Sequence, residues 1–162
     1  MEIKPTNTTM NILSCVINEN PSAFAIIRGK EVEGTVCFYS CLKGTAMIYE
    51  LKGLPKSKKC EGGIFGFHIH EGETCENNTS VPYENTKGHF NPDECLHPYH
   101  LGDLPPIFAT KGKAWATIYI DKFKPKEVIG RTIVIHAHAD DMHSQPAGNA
   151  GEKIACGKIE KF

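Results

Sequence analysis

"FGFHIHEGETC" (Phe65–Cys75) sets two histidines one residue apart inside an otherwise apolar run. Alternate residues of an extended strand share a face, so His68 and His70 point one way while Phe67 and Ile69 point the other. One face can then enter a core while the other presents two imidazole nitrogens side by side. A pair of exposed or hydrogen-bonded histidines at a strand edge fits this stretch equally well. The rest of the chain decides between the two.

Runs of the same kind recur between Gly, Pro and Asn punctuation: "AFAIIRG", "EGTVCFYSC", "GTAMIYELKGLP", "IFGFHIHEG", "KAWATIYID", "GRTIVIHAHA" and "KIACGKIEKF". Seven or eight such strands with turn signals between them predict an antiparallel sandwich or barrel. Helix signals are poor, apart from one turn in "KPKEVIG" (Lys124–Gly130). Two segments carry no strand pattern, Glu71–Lys113 and Asp140–Lys153. Loops of that length inside a compact domain are usually functional. No internal repeat or boundary divides the chain, so residues 1–162 read as one domain.

A chain of 162 residues is long enough for a real core, and 40% apolar with 23% charged residues is a globular composition. The net charge of −1 comes without a lysine-arginine stripe. "LKGLPKSKK" (Leu51–Lys59) is basic but broken by Gly and Pro, a solvated loop rather than a nucleic-acid patch. No run reaches transmembrane length, so no membrane partner is expected. The N-terminus lacks a basic region leading into an apolar stretch, which predicts a cytoplasmic protein, or an extracytoplasmic one if the chain is a processed form. Seven cysteines leave at least one thiol unpaired within the chain, and none forms a CxxC motif.

All eight histidines fall between His68 and His143. In "GHFNPDECLHPYHLGDLPP" (Gly88–Pro106), His97, His100 and Asp103 recur every third residue of a turn-rich segment. Two imidazoles and a carboxylate around one ion suit zinc, and His89 is the nearest candidate for a fourth ligand. "TIVIHAHADD" (Thr132–Asp141) puts Thr132, Val134, His136, His138 and Asp140 on one side of a strand and Ile133, Ile135 and Ala137 on the other. A third strand histidine joining His68 and His70 makes an imidazole-rich site that suits copper as well as zinc.

Five stretches, in order, resemble the copper/zinc superoxide dismutases: "GFHIHEG", "GHFNP", "HLGDLPP", "IGRTIVIHAHADD" and "GNAGEKIACGKI". The match covers roughly Leu51 to Ile159, while the first fifty residues add only compatible strand patterns. The resemblance implies a Greek-key β-sandwich, or flattened eight-stranded barrel, with a long metal-binding loop and a second active-site loop. It implies that His68, His70 and His136 bind copper, that His89 bridges copper and zinc, and that His97, His100 and Asp103 complete the zinc site. Asp140 becomes the carboxylate joining a copper histidine to a zinc histidine. Cys75 and Cys156 become the intrasubunit disulfide, whose loop of about 80 residues is worth ~4.5 kcal/mol in the chain-entropy model. The implied activity is dismutation of superoxide to O₂ and H₂O₂, with His89 and Lys153 as catalytic residues and a homodimer as one oligomeric option.

Two departures stand out. Lys153 occupies a position where the family usually has arginine, which keeps the charge but loses the planar fork. The spacing from His97 to His100 is very short, so the zinc loop is trimmed. His138 is expected to be an exposed neighbour of the ligand strand and His143 a solvated loop residue. A bond between Cys60 and Cys95 is left open. Two rival readings accompany the enzyme: a copper/zinc-binding module that does not dismute (a store, a chaperone or a degenerate homologue), and a metallohydrolase suggested by "HAHADD". The chain lacks the length and helices for the second.

Overall fold

The computed structural model describes residues 6–56, 59, 62–76 and 80–162. An N-terminal helix, α1 (Asn7–Asn18), precedes strands β1 (Ala23–Gly29), β2 (Glu33–Cys41), β3 (Gly44–Lys52), β4 (Ile64–Phe65), β5 (Phe67–His70), β6 (Ile107–Phe108) and β7 (Lys113–Ile120). A single helical turn, α2 (Pro125–Val128), leads to β8 (Thr132–His136) and β9 (Lys153–Lys161). Seven strands form one antiparallel sheet in the order β5-β8-β9-β1-β2-β3-β7, and β4 pairs with β6. The hairpins β1-β2 and β2-β3 are local, whereas β1-β9, β3-β7 and β5-β8 join strands distant in sequence. This is the all-β antiparallel arrangement that the strand runs predict, and its long-range pairings fit the Greek key that the resemblance implies.

The alternation builds the core. Along β1, Ala23, Ala25 and Ile27 are buried while Ile26 and Arg28 face solvent. Phe38, Met47, Leu51, Phe67, Ile69, Ile133, Ile135 and Ile159 join them in one cluster. Fully burying each large side chain stabilises the fold by about 1.5–3 kcal/mol. β5 and β8 are buried on both faces. Their Phe67, Ile69, Ile133 and Ile135 enter the core, and the opposite face, with His68, His70 and His136, lies beneath the two long loops.

Besides the two-residue β6, which falls within Glu71–Lys113 where the sequence carries no strand pattern, two details differ from the strand reading. "IFGFHIHEG" is interrupted at Gly66, which sits where a Cβ would press on Ala150 and His136. Its carbonyl accepts from His136 N and its N–H donates to the His138 carbonyl, so the chain turns from β4 into β5. The second difference is α1, in which Asn, Thr, Ser and β-branched residues of weak helix propensity outnumber Met10 and Leu13. Thr6 caps it by accepting from Thr9 N, and none of its residues is fully buried. A disulfide from Cys15 to Cys41 at the end of β2 ties it down. Loop closure over that separation of 26 residues corresponds to about 3.5 kcal/mol in the chain-entropy model. Cys60 lies outside the described residues; Cys95 is exposed, with no bonded partner among those described.

Candidate metal centre

β5 is an edge of the seven-stranded sheet, and an edge strand leaves backbone groups to be paired. The loop from residue 88 to 103 takes them. Ile69 N donates to the Gly102 carbonyl at 2.9 Å, and Phe90 N donates to the Ile69 carbonyl at 2.8 Å. Gly102 must be small here, because a Cβ would strike the Ile69 backbone. These bonds set His89 opposite His70 and Asp103 opposite His68. Loop residues distant in sequence thus meet the strand histidines.

Two groups result: His68, His70, His89 and His136, and His89, His97, His100 and Asp103. In each, the candidate ligand atoms lie within 4.8 Å of one another, and every member is buried. His89 belongs to both. In the second group, His89 Nδ1 lies 2.7 Å from Asp103 Oδ1, and His97 Nδ1 and His100 Nδ1 lie 3.1 and 3.2 Å from Asp103 Oδ2. The short His97–His100 spacing therefore still brings both rings to one carboxylate.

The outward nitrogens are held by acceptors. Asp140 Oδ2 is 2.7 Å from His68 Nε2, and Asp140 Oδ1 is 2.9 Å from His97 Nε2. His70 Nδ1 donates to the Lys87 carbonyl at 2.9 Å and His136 Nδ1 to the Gly151 carbonyl at 3.1 Å. A carbonyl can only accept, so in the neutral rings the proton sits on Nδ1 and Nε2 carries the lone pair. Those two Nε2 atoms are 3.2 Å apart. Protonation would relieve their repulsion, but burial drives both rings away from the charged form: His70 is held well below the usual range and His136 falls to about 3. A metal ion suits such facing lone pairs. His68 Nδ1, His89 Nε2 and His97 Nδ1 are buried without a hydrogen-bond partner, although His97 Nδ1 is close to Asp103. Three such nitrogens turned inward fit metal ligation.

Burial tends to raise both Asp103 and Asp140, but the surrounding donors outweigh it and lower them. His89, His97 and His100 do so for Asp103; His68, Met142 N and His97 do so for Asp140. Both are thus carboxylates, one among the candidate ligands and one orienting a ring in each group. Gly148, at φ +63°, packs so tightly against the Asp140–His97 hydrogen bond that a Cβ would collide with both side chains. Cys75 and Cys156 are disulfide-bonded, fastening the loop after β5 to β9.

Lys153 does not point freely into solvent. Its Nζ donates to Thr86 Oγ1 at 2.7 Å, the Lys87 carbonyl at 2.8 Å and the Tyr83 carbonyl at 3.3 Å. Burial lowers its pKa. A cavity of about 310 Å³ leads to His136 between Ser144, Gln145 and Asn149. The segment from Asp140 to Glu152 contains three carboxylates and no lysine or arginine. His138 and His143 are exposed, apart from both groups. The carbonyls of Lys87 and Gly151 and the side chains of Thr86 and Gln145 escape sequence reading. Only "GNAG" hints at one of them, and backbone acceptors leave no side-chain signature.

Residues 32–159 match the family model for copper/zinc superoxide dismutase. The chain belongs to the copper/zinc superoxide dismutase family. It is 34% identical over 148 residues to "Superoxide dismutase [Cu-Zn]" of Deinococcus radiodurans, covering 80% of this chain and 78% of that one. It is 35% identical over 159 residues to the protein of the same name from Onchocerca volvulus, covering 85% and 94%. The solved Cu/Zn superoxide dismutase from Brucella abortus superposes with a TM-score of 0.72 at 28% identity, over 85% of this chain and 99% of the other. As a copper/zinc superoxide dismutase homologue the chain is an oxidoreductase, and its two histidine-rich groups can bind copper and zinc. No described helix is long and apolar enough to cross a membrane.

Proposed function

We propose that this protein dismutes superoxide, with copper held by His68, His70, His89 and His136 and zinc by His89, His97, His100 and Asp103. The observation that carries this reading is the sharing of His89, one ring offering Nε2 to the first group and Nδ1 to the second. Copper, when bound, supplies the one-electron couple that oxidises one superoxide to O₂ and reduces the next, with two protons, to H₂O₂, while zinc supplies fixed charge.

The chain's own residues do the rest. His89 holds and releases a proton at Nε2 while its Nδ1 stays in the zinc group, so one ring can deliver protons without leaving its place. Asp140 fixes His68 and His97 in one tautomer each and couples the two groups mechanically. Lys153 adds positive charge beside the copper group and attracts an anion over distance. Its three N–H groups already have acceptors, so it offers charge more readily than a docking hydrogen bond.

The second reading, a copper/zinc-binding module without turnover, draws on the absence of cations between Asp140 and Glu152. One experiment separates the two: copper and zinc content after purification without added metal, followed by the second-order rate of superoxide decay. Loaded protein that leaves superoxide decay at the buffer rate would establish the module. As to compartment, two disulfides persist most readily where thiols are kept oxidised, which weighs against the cytoplasm expected from the N-terminus. Sedimentation velocity tests whether the chain forms a homodimer.

A further inference from the structure

We infer that Gln145 is a positioning residue for the zinc-side group, fixing the main chain of His97 where the trimmed loop cannot; this rests on the two-metal reading above. Residues 92–96 before His97 are exposed, Leu96 at 70%, and Tyr99 beyond it is 73% exposed. His97 is nevertheless buried. Pro98 is half-buried, and the turn around His97 is held by the Asn91 side chain on Cys95 and by Tyr99 N donating to the Leu96 carbonyl, but none of these bonds reaches the His97 main chain.

The support comes from Gln145. His97 N donates to Gln145 Oε1 at 3.0 Å, and Gln145 Nε2 donates to the His97 carbonyl at 2.7 Å. One side-chain amide thereby satisfies both backbone groups of one candidate ligand, as a neighbouring strand would. Nε2 also lies 3.3 Å from the His143 carbonyl. With Asp140 on the ring, the segment 140–145 holds His97 at three points.

Gln145 is exposed, but its base is a fixed turn. Asp141 accepts from Ser144 Oγ at 2.6 Å, Ser144 N at 2.8 Å and His143 N at 3.0 Å. Gly148 N donates to the Ser144 carbonyl at 2.7 Å, and Asp141 N to the Gly148 carbonyl at 2.9 Å. A ligand is well placed when the groups orienting it are themselves held. The loop that walls the cavity to His136 thus also sets the zinc-side geometry.

The test uses the full chain, stripped of metal, refilled with one copper and titrated with cobalt(II) against a chelator. The wild type should take up cobalt in the zinc-side group with a tetrahedral absorption spectrum, which Asp103→Asn should abolish. Gln145→Met keeps the length but neither hydrogen bond; it should bind cobalt about tenfold more weakly with a shifted band envelope, the scale expected when an orienting partner is lost. Gln145→Asn, with the amide one methylene shorter, should fall between the two. Ser144→Ala removes one of the three bonds to Asp141 beneath Gln145 while leaving both Gln145–His97 bonds possible, so it should weaken cobalt binding by less than Gln145→Met. An unaltered copper(II) spectrum in Gln145→Met shows that its fold is intact. Wild-type affinity and spectrum in Gln145→Met, or an equal loss in Ser144→Ala, would overturn the inference. A wild type that takes no cobalt sensitive to Asp103 would instead bring down the two-metal reading, and this inference with it.

Discussion

Lys153 and His70 share one acceptor: the Lys87 carbonyl oxygen lies 2.8 Å from Lys153 Nζ and 2.9 Å from His70 Nδ1. The Lys153 cation is therefore tied to the orientation of a candidate copper ligand. Charge and position can be separated by substitution. Lys153→Met should lower the dismutation rate at low salt, flatten its ionic-strength dependence and shift the copper(II) spectrum, because the Lys87 carbonyl loses a donor. Lys153→Arg should keep the spectrum and raise the rate modestly, and Lys153→Glu should depress the rate strongly at low salt and less at high salt. Rates for all four proteins against salt, with copper loading equalised, check this. Indifference to charge reversal at low salt would remove Lys153 from the anion's path.

Asp140 touches both candidate metal groups without belonging to either. Asp140→Ala should weaken zinc retention about 10- to 100-fold, as loss of an orienting carboxylate does elsewhere. Chelator competition measures it. Unchanged affinity would mean that the two rings hold their orientation without the carboxylate.

His89 is the one ring common to both groups. Replacing it should leave copper on His68, His70 and His136 but make the copper(II) spectrum insensitive to whether zinc or cobalt fills the other group. A spectrum that still responds to the second ion would rule out a bridge through His89.

Acid should destabilise the metal-free protein in a window set by buried imidazoles. His136 titrates at about 3 in the fold against 6.5 for an unburied histidine, chiefly through burial and then through His68. His70 is lowered in the same sense, through burial and His89. Between those pH values the unfolded chain binds more protons than the folded one. Stability is therefore lost as pH falls below 6.5 and continues to fall until about 3. Urea midpoints of metal-stripped protein across that range test it, and His136→Gln should reduce the slope. A midpoint independent of pH there would mean that the imidazoles are charged within the fold.

Much of this was legible in the chain because it depends on local period. Alternation in "FHIH" and "TIVIH" assigns His68, His70 and His136 to the face opposite Phe67, Ile69, Ile133 and Ile135, whatever the strands later pair with. The spacing of His97, His100 and Asp103 likewise marks a candidate ligand cluster within a turn. The sequence carried no comparable signal for α1, whose residues favour helix weakly and whose place depends on Cys15 meeting Cys41 across the fold. Nor could it show that Lys87 and Gly151 serve as carbonyl acceptors, that Gln145 grips His97, or that Lys153 turns into the 83–87 segment. Those depend on where a loop's backbone comes to rest. That path is settled by the pairing of the β5 edge, the packing of Gly66, Gly102 and Gly148 and the Cys75–Cys156 bond, contacts between residues far apart in the chain. Side-chain periodicity decides which face a ligand occupies; only the assembled sheet and loops decide what holds it there.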